Sequence, residues 1–387
     1  MYFYKYQKMS ALSIAMLRYG EVFFASPKEL NDIHECRPQY IFSADAIIWS
    51  KFIHKILVTV CMSMDLEQDS PLAKSILSLR ETMTQSILKG RNKRSLDYQS
   101  TLQTLGDSFS KEVLTNLTFT DSRAALLAFS HYIEKTMNEE LNENYYMCSF
   151  SKNATNLTMW GHYGDAEKGF SIIYESDDRD ITLESDLPLF FHYNENKNGS
   201  KTYKRSKSTI ARVISVDYKS KPVRINAFSG LIHNFIYSDE EEHYDLSQTL
   251  LSRLNKFNEN DLGWVKYSDW KYEKELRLHL PFYEEIPPSL RSIRINVKHI
   301  KGIIFGSRTT DSDKENIISA CYHLRKSQNA SHDIYFFQAH PVPNQYKLNI
   351  TPLGINGVIN GNYLTPIPKE GEIHLKAMEI SKAINMS

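Results

Sequence analysis

Between Ser43 and Asn144 the chain is rich in Ala, Leu, Ile, Ser and Lys at helical spacing and carries almost no glycine. Both flanks instead alternate aromatic or branched residues with polar ones. A hydrophobic period near 3.6 builds helices and a period of two builds strands, so the two patterns need separate elements. The sequence therefore predicts an α+β fold, with a mixed or antiparallel β core drawn from both ends of the chain and interrupted by a helical insertion over residues 43–144. On this division residues 1–42 open the core, 145–355 complete it, and 356–387 form a C-terminal tail with a short helix.

Local signals fill in the order. The opening YFYKY alternates as a strand, and SALSIAMLRYG follows as a helix with Ser10 as N-cap and Gly20 as C-cap. EVFFASP reads as a second strand, closed by the turn SPKELND. Within the insertion, Ser70 and Pro71 start one helix, Gly90 and Asn92 stop it, and Asp121 starts the last. After the insertion, YYMCSFSKNATNLTMWGHYGDAEKGFSIIYE predicts a strand, a polar loop, a short helix around Trp160, a glycine turn and a strand. The polar stretch from Asp177 to Thr209 is expected as a loop excursion. RVISVDYKS reads as a strand, FSGLIHNFIYS and LSQTLLSRLNKF as helices, and the C-terminal part as strand, helix, strand and strand.

Composition excludes several classes. A 387-residue chain with 41% hydrophobic residues can bury a sizeable core. Its 46 basic and 46 acidic residues leave no net field for a polyanion or an anionic membrane, so any nucleic-acid contact must be local. Cys36, Cys61, Cys148 and Cys321 form no CxxC pair, which suggests neither a disulfide framework nor a zinc knuckle and fits a reducing cytoplasm. No secretory signal is expected at MYFYKYQKMS, and the apolar run Ile47 to Met64 is interrupted by Lys51, His54 and Lys55, so no membrane span is expected. There is no HExxH, GxGxxG or GxxxxGK[ST], and no metal ligand set is assigned.

The segment WKYEKELRLHL, from Trp270, concentrates ionisable groups. A strand of period two there places Tyr272, Lys274, Leu276 and Leu278 on one side and Glu273, Glu275, Arg277 and His279 on the other. A half-exposed strand with its charges in water has the same pattern. Two acids and an arginine in one row also suit binding of a sugar hydroxyl or stabilisation of a developing positive charge.

Other segments offer companions. MWGHYGDAEKG sets Trp160, His162 and Tyr163 on a short helix between glycines, where a flat ligand can approach the backbone; a core anchor for the helix is the competing role. FASPKELND offers Ser26, Asn31 and Asp32 at a strand exit, although turn chemistry also accounts for them. CSFSK puts Ser149 and Ser151 on one strand face. Asp269 and Lys271 with Asp217 give a weak acid-x-Lys nuclease pattern. The basic runs at Lys201, Lys204, Arg205, Lys207 and at Lys219, Lys221, Arg224 suit phosphates or open solvent, and the acidic run Asp239 to Glu242 suits a helix start or a solvated face.

These motifs resemble a bacterial family of unknown function whose members share a YKY opening, an FSSP-x-x-FNDP-like stretch, an MW-x-HY-x(4)-G segment and a W-x-YE-x-E-x-R strand. Here they stand as YKYQK from Tyr4, FASPKELNDIHE from Phe24, MWGHYGDAEKG from Met159 and WKYEKELR from Trp270. The order of elements resembles, more distantly, ADP-ribosyltransferase toxins. That resemblance implies NAD as substrate, Glu275 as catalytic acid holding a ribose hydroxyl, and Glu273 as orienter of the acceptor, with the two able to exchange roles. It implies Ser149 or Ser151 as the serine of the central strand, and Tyr4, Lys5 or Tyr6 at the first-strand position. Trp160 and Tyr163 become candidates to stack on nicotinamide, and Arg277 to pair with a carboxylate or the pyrophosphate. The opening strand has neither the arginine nor the histidine of the toxin classes.

The expected function is an NAD-dependent ADP-ribosyltransferase-like toxin or anti-phage effector in the cytoplasm. Its target would be nucleic acid or protein, and an antitoxin or regulatory protein a possible partner of the insertion. A metal-dependent nuclease effector and a non-catalytic binding module are the alternatives.

Overall fold

The computed structural model describes residues 1–32, 34–67, 69–89, 96–139, 145–195, 201–229, 231, 254, 263–281, 286–359 and 362–387. The expected stop at Gly90 and Asn92, the acidic run Asp239 to Glu242, most of FSGLIHNFIYS and all of LSQTLLSRLNKF but Leu254 lie outside those residues. The chain forms two compact units. Met1–Glu35, Asn144–Ser220 and Gly263–Ser387 make the first, and Cys36–Glu143 with Lys221–Leu262 make the second.

In the first unit the opening strand Tyr2–Gln7 behaves as its alternation predicts, with Phe3 entering one core and Tyr4 and Tyr6 another. Ser10 caps the helix Ala11–Tyr19 by accepting from the Ser13 amide, and Gly20 ends it at φ 71. Among the described residues nine strands form one sheet. Their order is Ile214–Ser215, Glu275–Pro281, Tyr145–Ser151, Tyr2–Gln7, Phe170–Glu175, Ile300–Phe305, Tyr335–Pro341, Leu348–Ile359 and Asn362–Pro366. Ile300–Phe305 and Tyr335–Pro341 run parallel, joined by the helix Asp311–Ser327, and the other neighbours are antiparallel. The fold is therefore α+β with a mixed sheet.

One face of this sheet buries Phe3, Phe150, Ile172, Leu276 and Leu278 with Val22, Ile181, Leu183 and Ile293 of a smaller four-stranded sheet. The other face buries Tyr4, Ile173, Ile304 and Phe337 against Ala377, Ile380 and Ile384 of the last helix, Glu372–Met386. Each such large apolar side chain contributes on the order of 1.5–3 kcal/mol on burial. Two expectations are corrected here. Residues 356–387 are not a tail, because the sheet continues through Ile359 and Asn362–Pro366 before the helix packs on it. The stretch Asp177 to Thr209 contains Asp180–Glu184 and three further strand segments, since Ile181 and Leu183 supply a buried period of two inside a polar run.

The second unit holds the helices Ala46–Ser63, Pro71–Leu88, Tyr98–Asn116 and Phe119–Glu139. Ser70 caps the second as its sequence predicts, whereas the last starts before Asp121, whose amide is held by the Thr118 hydroxyl. This unit reaches beyond 43–144. Arg224–Asn226 pairs in parallel with Gln39–Phe42, and Ala227, Phe228, Leu231 and Leu254 join the helical core, so the stretch 145–355 is not one continuous part of the strand unit. The helix Ala46–Ser63 is long and apolar enough to cross a membrane, and Ile48, Trp49, Phe52, Ile53, Ile56, Leu57 and Val60 on it are buried in this core.

Candidate functional site: a buried charge cluster

The segment WKYEKELR is not one strand. Ser268–Glu273 is a short 3-10 helix, Lys274 takes the left-handed conformation at φ 45, and the strand begins at Glu275. A left-handed non-glycine residue costs about 1–2 kcal/mol, and surrounding bonds hold it. The Lys274 amide donates to Lys271 O, its carbonyl accepts from the Lys152 amide, and the Ser151 hydroxyl donates to Glu273 O at 2.6 Å. This turn, in place of a two-residue period, brings the carboxylates of Glu273 and Glu275 to one point.

That point is the Lys266 ammonium, on the three-residue strand Val265–Tyr267. It lies 2.7 Å from Glu273 Oε2, 3.1 Å from Glu275 Oε2 and 3.4 Å from Glu35 Oε2. Arg277 grips Glu275 in bidentate fashion, with Nε 2.8 Å from Oε1 and Nη2 3.0 Å from Oε2. Arg277 also pairs with Glu35 and donates to Gly263 O. All five groups are nearly inaccessible, with exposures of 4% for Glu35 and Lys266, 3% for Glu273 and Glu275, and none for Arg277. The expectation of a half-exposed charged strand is thereby corrected: these charges leave water and are stabilised by one another.

The electrostatics follow from that burial. Three carboxylates face two cations, a formal charge of minus one when all are ionised. Burial raises the pKa of Glu275, against the opposing pull of Lys266. Burial would lower Lys266, but Glu275 and Glu273 more than offset it and raise its pKa. Burial draws Arg277 down to about 9, a pull its flanking carboxylates oppose, and at neutral pH it stays charged. His279, stacked on Trp264 at 3.6 Å, is pushed down to about 3 by burial and by Arg277, so its imidazole is neutral.

Toward the surface, Glu273 Oε1 accepts from the Tyr163 hydroxyl at 2.7 Å, and that oxygen accepts from Asn31 Nδ2 at 2.8 Å. Asn31 is exposed. Half-buried Trp270 and Tyr272 lie close by, with Lys266 5.0 Å from the Trp270 ring and Tyr272 hydrogen-bonded to exposed His162.

The sequence-predicted residues divide into two groups. Glu273, Glu275, Arg277, Asn31 and Tyr163 come together, with Ser151 bracing the turn and Ser149 opposite Arg277 on the neighbouring strand. Tyr4 and Tyr6 lie on the same sheet face but inside its apolar core, Tyr6 donating to Asn153 O. Lys5 donates to Ser149 O. Trp160 is fully buried, with its indole donating to Ala154 O and its ring edge-on to Tyr6. It is the helix anchor, and a ring with no exposed surface has no room for a stacked nicotinamide. Gly164 and Gly169 serve chain packing: a Cβ would sit 2.6 Å from the Trp160 ring at the first and 2.1 Å from Gln7 O at the second, whereas Gly161 faces open space. Ser26 caps a turn through Glu29, and Asp32 holds the His34 amide. Asp217 and Asp269 are exposed, Asp217 pairs with Lys219, and no group of three or more metal-ligating side chains occurs among the described residues.

Sequence reasoning missed Glu35, Lys266 and Tyr218, whose hydroxyl accepts from the Glu275 amide. Glu35 ends the FASPKELNDIHE stretch, which was a usable signal; Lys266 and Tyr218 stand on three-residue strands with no pattern of their own.

An α+β unit with this cluster at one sheet edge is the class the geometry defines. The sequence family described as Protein of unknown function (DUF2971) matches residues 159–278. That span includes Tyr163, Tyr218, Lys266, Glu273, Glu275 and Arg277. No curated protein and no solved structure matches the chain.

Proposed function

We propose that the first unit is an NAD-consuming transferase of the ADP-ribosyltransferase type, with Glu275 and Glu273 as its acids and a macromolecule, nucleic acid or protein, as acceptor. One register carries this reading. Glu275 stands opposite Ser151, and Ser151 opposite Tyr4, across three neighbouring antiparallel strands. These are the late glutamate strand, the central serine strand and the opening strand that the toxin resemblance singles out, and residues paired across strands share a face.

The chemistry asked of such a site is modest in parts. The bond between nicotinamide and ribose breaks, nicotinamide leaves with the electron pair, and positive charge grows on the ribose. A fixed carboxylate stabilises that charge and accepts a hydrogen bond from a ribose hydroxyl. Arg277 and Lys266 hold Glu275 in a fixed orientation, which is the preorganisation such a role needs.

The burial of all five charges favours a second reading, a purely structural ion network in a binding module. Incubation of purified protein with labelled NAD and cell lysate separates the two. The transferase predicts free nicotinamide and label on a macromolecule, both lost in a folded Glu275→Gln variant. Absence of both products from the wild type would sink it.

A further inference from the structure

The members of the cluster differ in how completely their carboxylate oxygens are occupied. A carboxylate offers about four acceptor positions. Glu275 accepts two bonds from Arg277 and one from Lys266. Glu273 accepts one from Lys266 and one from Tyr163. Its Oε1 takes its bond from Tyr163, whose hydroxyl is held in turn by exposed Asn31.

The Tyr163 hydroxyl stands between Glu273 and Asn31. Asn31 donates to its oxygen, which directs the phenol proton to Glu273 and fixes the chain Asn31, Tyr163, Glu273, Lys266 from an exposed amide to the buried centre. Both links are short, and both ends come from segments remote in sequence, one on the Asn31 turn and one on the 3-10 turn before Lys274. Tyr163 itself is the C-cap of the helix Leu157–His162, its amide bonded to Met159 O and Trp160 O, so its backbone is anchored independently of the phenol.

We propose that Tyr163, held by Asn31, is the positioning residue of Glu273 and the path by which that acid exchanges protons with solvent. This rests on the transferase reading of the same site. In the transfer step the bond from ribose to nicotinamide breaks, the bond from ribose to the acceptor nucleophile forms, and the acceptor loses one proton. Glu273 takes that proton; the phenol then turns its own proton from Glu273 to solvent, and Tyr163 accepts the Glu273 proton as it releases its own, restoring the carboxylate for the next turnover.

The test compares wild type with Tyr163→Phe and Asn31→Ala, using NAD and lysate acceptor, with nicotinamide release as the rate. Tyr163→Phe is expected to lower kcat about 100-fold, the ordinary yield of positioned proton transfer, with KM for NAD within about twofold. Asn31→Ala is expected to fall between the two, and the solvent deuterium isotope effect on kcat is expected to change in both. A second readout needs no turnover. In ring-labelled tyrosine NMR, Glu273→Gln should let the Tyr163 phenol ionise at lower pH, because burial and the bond to Glu273 both raise it. Nicotinamide release by Tyr163→Phe at the wild-type rate overturns the relay and leaves the transferase reading standing. A wild type that releases no nicotinamide, even with the phenol shift present, overturns the transferase reading and the catalytic role of the relay with it.

Discussion

The helical unit and the strand unit both bury polar side chains, but of different kinds. In the helical unit the buried polar residues among those described are Thr84, Thr101, Ser108, Ser122 and Asn226. Thr84 donates to Arg80 O one turn back, Ser122 to Val113 O and Asn226 to the distant Ser43 O, while the Thr101 and Ser108 hydroxyls make no hydrogen bond among the described residues. A neutral hydroxyl or amide needs only a carbonyl, and costs little when it finds none beside the cost of an unpaired charge. The strand unit instead buries Glu35, Lys266, Glu273, Glu275 and Arg277 together. A buried charge needs an opposite charge, and here one short segment supplies four of the five groups and Glu35 joins them from far away. A cost of that kind, borne in one unit and avoided in the other, marks the strand unit as the place where chemistry is expected.

The sharpest way to break the contrast is Lys266→Met. It leaves three buried carboxylates with Arg277 alone, and a loss of about 3–5 kcal/mol is expected from urea denaturation, as for other buried pairs stripped of one partner. A loss under about 1 kcal/mol would mean that water already reaches the cluster.

Glu275→Gln sharpens the contrast through pH. Burial raises the folded pKa of Glu275 above its unfolded value, so its contribution to stability is fully present below the unfolded value and is lost as pH rises through the folded one. The wild type should therefore gain stability relative to Glu275→Gln on mild acidification from neutral pH. Parallel urea midpoints for the two proteins across that range would refute this. The smallest effect belongs to the helical unit: Thr84→Val should cost less than about 1 kcal/mol at any pH, because Arg80 O keeps its place in the helix ladder. A larger cost, measured by the same denaturation, would erase the distinction between the units.

How much was legible in the sequence follows a division between local and distant. The caps at Ser10, Gly20 and Ser70 were readable because a side chain or a backbone conformation there acts within a few residues. Glu273, Glu275 and Arg277 were readable as a group because they crowd one segment. Their burial was not, since it depends on Lys266, on a three-residue strand with no pattern of its own, and on Glu35, which no spacing connects to them. The period of two failed at Lys274, a lysine in a conformation that glycine or asparagine usually signals. Trp160 was named with both roles open, and only its fully enclosed indole assigns it to packing.

Glu35 and Arg277 also bear on how the molecule is made. Their pairing joins a residue near the start of the chain to one beyond the whole helical unit, so closing it requires a very large loop to meet its ends. Contacts of such high sequence separation reward the chain only after that entropy is spent, and they form late. Until then Glu273, Glu275 and Lys266, all within one short segment, can pair with each other in water. Weakening Glu35 should accordingly hasten unfolding far more than it slows folding. The Glu35–Arg277 pair is then a latch, set last and released first, and the lifetime of the native strand unit is read from it.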